Sequence, residues 1–297
     1  MTLERLSPQI LSKIRSIQIR AKNLVNSSFS GEYQSAFRGR GMEFEEIRDY
    51  TIGDDIRNID WNVTARTSSP YIKVYRDERE LTVMFLVDVS ASGRFGSHKQ
   101  FKNDFAAEIT ALLAYMALTN NDKVGLIIFS DHVEHYIPPK KGKGHVWRLI
   151  REILTFQSTS KKTDFKVPLD FLNQVIKRKS ICFLLSDFQS EEGIKNLSLT
   201  SNRHEILAIS ITDPREVQMP EVGFITLEDA ETGETEIVDT TDPIWQRDFK
   251  KSSQKTKGEL NYFFNRNAID HISIMTNENY LNPILNYFRQ REKRFRS

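Results

Sequence analysis

The 297-residue sequence predicts an α/β fold with a mostly parallel sheet flanked by helices, preceded by a helix and a small β-rich subdomain. Three observations lead there. Near-continuous apolar runs at 83–87, 124–129, 181–185, 206–211 and 272–275 have the composition of strands buried on both faces. Helical segments intervene, the clearest spanning 98–119 with Phe101, Phe105, Ile109, Leu112, Leu113 and Met116, and this alternation predicts a parallel sheet between helix layers. The composition ahead of residue 80 is different, rich in glycine, aromatics and charges of both signs.

In chain order, Ile10, Ile14, Ile17, Ala21 and Leu24 make one stripe of an amphipathic helix, interleaved with Lys13, Arg15, Arg20 and Lys22. The stripe is expected to pack on its own domain. From Gly31 to Glu80, Glu43–Tyr50 and Tyr71–Tyr75 alternate in part, with turn chemistry at Ile52-Gly-Asp-Asp55 between them, so short strands and turns are expected. Glu43, Arg48, Asp54, Arg57, Asp60 and Arg66 read as an internal ion-pair network. Later, Ile225, Leu227, Ile237 and Val238 flank a polar turn and predict a β-hairpin near 222–240, inserted before a helix around Trp245–Asn265. The organisation read from this is an N-terminal unit at 1–80 and an α/β domain at 81–297.

The bulk properties exclude several classes. Forty-two basic against 40 acidic residues leave a formal charge of +2, without the long-range field of a general nucleic-acid binder. The single cysteine, Cys182, lies inside an apolar run and is expected in the core, with no disulfide framework or thiolate zinc site. Apolar runs fall short of the ~18 residues a membrane span needs, and no long apolar stretch opens the chain, so a soluble cytoplasmic protein is expected.

The chemistry concentrates where strands end. Leu81–Gly93 places Asp88, Ser90 and Ser92 directly after an apolar strand, giving three hard oxygen donors in one loop at the edge where open α/β sheets bind ligands. Thr163-Asp164 is expected to open a helix, and the run 181–187 ends a second strand in Asp187. The pattern resembles the metal-ion-dependent adhesion site of von Willebrand factor A domains. That resemblance implies a site in which Asp88, Ser90, Ser92 and Thr163 approach the metal directly or through water, with Asp187 acting through water or behind the ligands. Mg²⁺ is the expected ion, with Mn²⁺ or Ca²⁺ as alternatives. It further implies that an acidic side chain of a partner protein completes the coordination.

A longer signature runs from Gly41-Met-Glu-Phe-Glu-Glu-Ile-Arg-Asp-Tyr50 through Ile52-Gly-Asp-Asp-Ile-Arg-Asn-Ile-Asp-Trp61 to Arg66 and on to Glu80. It resembles domain-of-unknown-function family 58, in which such a segment precedes a von Willebrand A-like domain. The resemblance implies a bacterial or archaeal protein that works with a MoxR-type AAA+ ATPase in chaperone-like assembly, maturation or stress response. The expected role is a noncatalytic, metal-dependent interaction adaptor. Lys161-Lys162, ahead of Thr163, depart from the small residues common there and should weaken a nearby cation.

Two other readings stand beside this one. A metal-assisted phosphoester hydrolase needs a base or nucleophile, yet Ser90 and Ser92 lack the Gly-x-Ser-x-Gly elbow. A metal-free scaffold needs Asp88 and Ser90 only as loop caps. His98 at a helix start reads as structural, and His132 and His135 as pointing to opposite strand faces. Lys140–Gly144 reads as a solvated loop, and the basic tail Arg289–Arg296 as a helix end that complements its dipole and then frays.

Overall fold

The computed structural model describes residues 8–25, 30–37, 42–67, 69–77, 80–97, 100–158 and 160–296. Its centre is a six-stranded sheet. The strands are β3 (Thr82–Asp88), β4 (Lys123–Phe129), β5 (Val133–Lys140), β6 (Ile181–Ser186), β7 (Glu205–Thr212) and β10 (Asp270–Met275). They lie in the order β10-β7-β6-β3-β4-β5, all parallel except β5, which runs antiparallel to β4.

The apolar runs fix this arrangement because each strand has two faces to bury. Val83, Phe85 and Val87 face one core, shared with Phe183 and Leu185 of β6, while Met84 and Leu86 face a second core with Cys182 and Leu184. Phe85 stacks on Phe183 at 5.2 Å between ring centroids. Cys182 is buried, as its apolar neighbours require, and burial pushes its thiol up to about 12.

On the first face lie α1 (Pro8–Leu24), α2 (Ser30–Phe37), α4 (Lys102–Thr119), α5 (Lys143–Thr155) and α10 (Leu281–Arg296). On the second lie α6 (Lys166–Val175), α7 (Asn196–Ser201) and α9 (Pro243–Arg266). Helix α4 is buried without interruption from Phe105 to Ala117 because it touches the sheet on one side and α1 and α5 on the other. The α1 stripe therefore packs on its own chain through Ile17 and Ala21. Its flanks are tied by Lys13–Asp104 at 2.6 Å and Arg20–Glu108 at 2.8 Å.

Residues 42–77 form the expected strand pair, β1 (Met42–Asp49) antiparallel to β2 (Tyr71–Asp77), with a short helix α3 (Trp61–Thr67) between them that the sequence did not suggest. Arg48 grips Asp54 with two hydrogen bonds of 2.8 and 2.7 Å, which closes the turn. The remaining pairing differs from expectation. Arg57 turns to Asp55, and Asp60 pairs with Lys73 while capping α3. Ile52, Ile56 and Trp61 on this connection are exposed. The hairpin is present as β8 (Phe224–Glu228) and β9 (Thr235–Asp239), preceded by the single-turn helix α8 (Pro214–Val217).

Three expectations shift. Helix α4 begins at Lys102 rather than 98, so Phe101 is exposed and Lys102 is buried; His98 lies outside the described residues. Strand β5 lengthens the sheet through a segment whose two prolines are tolerated at an edge. The C-terminal tail is anchored rather than solvated. Arg291 is buried, its Nε donates to the Ala36 carbonyl at 2.9 Å and its Nη1 to Asp270 at 2.8 Å, and it pairs with Glu205. Its guanidinium also lies 4.7 Å from the Phe37 ring centroid. No helix among the described residues is long and apolar enough to cross a membrane.

Two outcomes follow from this packing. Arg291→Ala removes the buried cation shared by Glu205 and Asp270, although Asp270 keeps Arg294 and Tyr287, and is expected to cost about 3–5 kcal/mol in a urea melt; a loss below ~1 kcal/mol would contradict the assignment. Asp122, in the turn between α4 and β4, accepts hydrogen bonds from Tyr33 Oη and the Leu81 amide, both at 3.0 Å, and burial pushes its carboxyl up to about 6. A folded-state value above the unfolded one favours folding below about pH 4, and that contribution is lost as pH rises through about 6. Asp122→Asn is therefore expected to gain on the wild type by about 1–2 kcal/mol between about pH 5 and about pH 8. Equal differences in melts at the two pH values would refute this.

Candidate metal centre

The chain leaves β3 toward β4 on one side and later returns to place β6 on the other. The carboxyl ends of β3 and β6 thus flank the switch point of the sheet, where a crevice opens because the connections diverge. Asp88 ends β3, and Asp187 follows the last residue of β6.

The first loop curls back on Asp88. Its Oδ1 accepts the Ser90 amide at 2.9 Å, and the Ser90 and Ser92 hydroxyls stand 3.1 Å apart at the entry to a 3₁₀ turn over Ala91–Arg94. The second loop lies against it, with the Ala91 amide donating to the Lys161 carbonyl at 3.3 Å and Thr163 Oγ1 standing 3.5 Å from Asp88 Oδ2. Asp88, Ser90, Ser92 and Thr163 are thereby brought together. Thr163-Asp164 precede rather than open α6, and Asp164 accepts the Lys166 amide at its start at 2.7 Å.

The third loop approaches differently from expectation. Ser186, which the sequence reading passed over, donates its hydroxyl to Asp88 Oδ2 at 2.7 Å and accepts the Phe188 amide at 3.0 Å. Asp187 faces across the crevice to Lys102. The Lys102 ammonium lies 2.5 Å from Asp187 Oδ2 and 2.6 Å from Glu216 Oε1, with the lysine 3% exposed. Burial alone would lower its pKa, but the two carboxylates outweigh burial and hold it above its ordinary value. Glu216 is itself fixed by a capping box in which Asp213 accepts the Arg215 amide and Glu216 accepts the Asp213 amide.

Backbone geometry holds the loops at this distance. Gly193, at φ +71°, is pressed on the second loop; a Cβ there would stand 2.2 Å from the Lys166 amide nitrogen. Phe188 carries φ +54°, a strained conformation for an aromatic residue, and is kept in it by stacking on Phe165 at 5.3 Å and by edge contact with Phe264 at 5.4 Å. The strain falls directly beside Asp187.

The donor chemistry fits a small hard cation. A cavity of about 20 Å³, room for one water or ion, is lined by Asp88, Ser92, Lys102, Ser186 and Asp187 among others. Burial, reinforced by the Asp187 charge, pushes the Asp88 carboxyl up to about 6, so this carboxylate lacks a compensating charge that a cation would supply. Among the described residues no three His, Cys, Asp or Glu side chains gather as a metal-binding group. The oxygen atoms around Asp88 are hydroxyls, Ser90 and Thr163 do not line this cavity, and Asp187 is engaged by Lys102. His132 pairs instead with Asp131 at 2.7 Å and Glu134 at 3.1 Å. A larger cavity of about 270 Å³ adjoins the crevice beyond Asp187 and Glu216, beneath α9.

An uncharacterized protein of Mycobacterium tuberculosis is 28% identical over 289 residues, covering 96% of this chain and 91% of its own. Among solved structures, an aerotolerance-related membrane protein from Bacteroides fragilis, carrying multiple mutations to serine, is similar at 13% identity and TM-score 0.47. That match covers 72% of this chain and 99% of the other. The SpRpn10 VWA domain is similar at 12% identity and TM-score 0.40, covering 70% and 95%. The family model described as "Protein of unknown function DUF58" matches residues 46–259, more than half of the chain, and the chain belongs to this family.

Proposed function

We propose that this protein is a noncatalytic, metal-dependent interaction adaptor of the cytoplasm, binding Mg²⁺ through Asp88, Ser90, Ser92 and Thr163 and engaging an acidic residue of another protein. The partner implied by the sequence resemblance is a MoxR-type AAA+ ATPase or its client. The observation that carries this reading is the convergence of three loop ends on Asp88, which gathers hydroxyl oxygens around one buried carboxylate at the switch point. Such a set leaves a bound cation short of negative charge and open to a further anionic ligand. Ser90 and Ser92 hydrogen-bond each other beside Asp88, and among the described residues no imidazole is hydrogen-bonded to either hydroxyl. The bound ion would supply Lewis acidity and a bridge; the protein's own residues position it and set its charge.

Lys102 takes part by holding Asp187 away from the ion. Its ammonium also answers Glu216, so the crevice carries a built-in cation beside the place for a divalent one. The exposed Ile52, Ile56 and Trp61 offer a second, apolar contact face of the kind protein partners cover.

Capture from native lysate separates the readings. With Mg²⁺, wild-type protein is expected to retain an AAA+ ATPase identified by mass spectrometry, and Asp88→Ala or a chelator to abolish retention. Equal capture under all four conditions would move the function off the metal centre. A thermal-shift series checks the role of Lys102. Lys102→Met strands two buried carboxylates and is expected to lose about 3–5 kcal/mol without metal. Added Mg²⁺ should recover more stability in this variant than in wild type, by linkage. A variant that ignores Mg²⁺ while wild type responds would refute the competition.

A further inference from the structure

The inward face of α9 changes character along its length. Toward its end Leu260, Phe263 and Phe264 pack on the second core, as a helix covering a sheet requires. Before that, the same face carries Phe249, Ser252, Ser253, Thr256 and Lys257, which recur at helical spacing along one stripe. Hydroxyls standing where apolar side chains normally lie do not close onto the sheet, and the cavity of about 270 Å³ separates them from the strands.

The sheet answers with polar groups of its own. Ser210 and Thr212 of β7 and Ser273 of β10 line the cavity from the second face, at the carboxyl end of the strands. The Thr212, Ser253 and Ser273 hydroxyls and the Lys257 ammonium make no hydrogen bond to other protein groups among the described residues, so their bonding capacity faces the cavity. His271 is already committed. Asn261 Oδ1 only accepts, so His271 Nδ1 donates to it at 3.1 Å, and Nε2 accepts the Ser210 hydroxyl at 2.9 Å. Burial, with the Lys257 charge, pushes this imidazole down to about 4, so it adds no charge near neutral pH.

Charge and shape then select a ligand. Asp187 and Glu216 border one side, where Lys102 answers both, and Lys257 stands on α9. Two carboxylates against two ammonium groups leave the surround without net charge; an anion is opposed by the former and a cation by Lys257. A sugar hydroxyl both donates and accepts, which suits carboxylates, ammonium and hydroxyls alike. Phe249, stacked on Trp245 at 5.1 Å, forms an apolar wall with Leu260 and Met275 for the C–H face of a sugar ring. The volume lies near the lower end of the ~300–1,000 Å³ range of small-molecule sites and sets the size at one monosaccharide. We infer that this cavity binds a neutral sugar through Thr212, Ser253, Ser273 and Lys257, with Phe249 against its ring. The site is separate from Asp88 and does not depend on the metal reading.

The test uses the full chain in chelator, so that no divalent ion takes part. D-glucose, D-galactose, D-mannose and N-acetyl-D-glucosamine, each free and as its methyl glycoside, are titrated by saturation-transfer NMR, with amide hydrogen exchange followed across α9. At least one is expected to bind wild type with Kd about 1 mM and to slow exchange between Phe249 and Leu260. Affinity kept by the methyl glycoside assigns the end residue of a glycan, and affinity lost assigns a free sugar; both support the site. Ser253→Leu fills the space under α9 and Lys257→Ala removes a donor. Each should weaken binding about tenfold or more, yet melt within about 2 °C of wild type, since neither residue is buried. Inorganic phosphate and glycine should not displace the sugar. Failure of every sugar to bind wild type at about 20 mM, displacement by phosphate or glycine, or equal binding by wild type and both variants would overturn the inference.

Discussion

The buried ammonium of Lys102 between Asp187 and Glu216 sets the form of the crevice. Three separate parts of the chain meet on it: the first turn of α4, the loop after β6 and helix α8. Each carboxylate would be expensive to bury alone, and the lysine equally so; together they are compatible with a dry interior only in this arrangement. The same contact engages Asp187, while Asp88 beside it is held by hydrogen bonds from Ser90 and Ser186.

Most of the architecture was legible because apolar runs have only one way to be buried on both sides. The five runs became the five parallel strands, and the hairpin and the N-terminal stripe followed their periodicities. What escaped were features whose residue types carry two meanings. Val133–Lys140, read only around His132 and His135 as a strand, has prolines and charges and extends along the sheet edge. Arg291 was read as part of a solvated tail, and Lys102 drew no reading; only the partners brought from 21 and 85 residues away make burial possible.

The candidate site shows the same division. Asp88, Ser90 and Ser92 are close in sequence, so their meeting could be read directly, and Thr163 came from the resemblance to the adhesion site. Ser186 was hidden inside the apolar strand run, where one hydroxyl looks incidental. Long-range placement of polar side chains depends on loop paths, which leave no periodic trace.

The hydrogen bond from Arg291 to the Ala36 carbonyl joins residues 255 positions apart. In biosynthetic terms this contact forms late relative to α2. The first cover of Tyr33 and Phe37, at Asp122 and Phe183, is made well before Phe288, which adds edge contacts to both rings more than 250 residues after they are made. A chain interrupted between them therefore holds the N-terminal aromatics with only part of their packing.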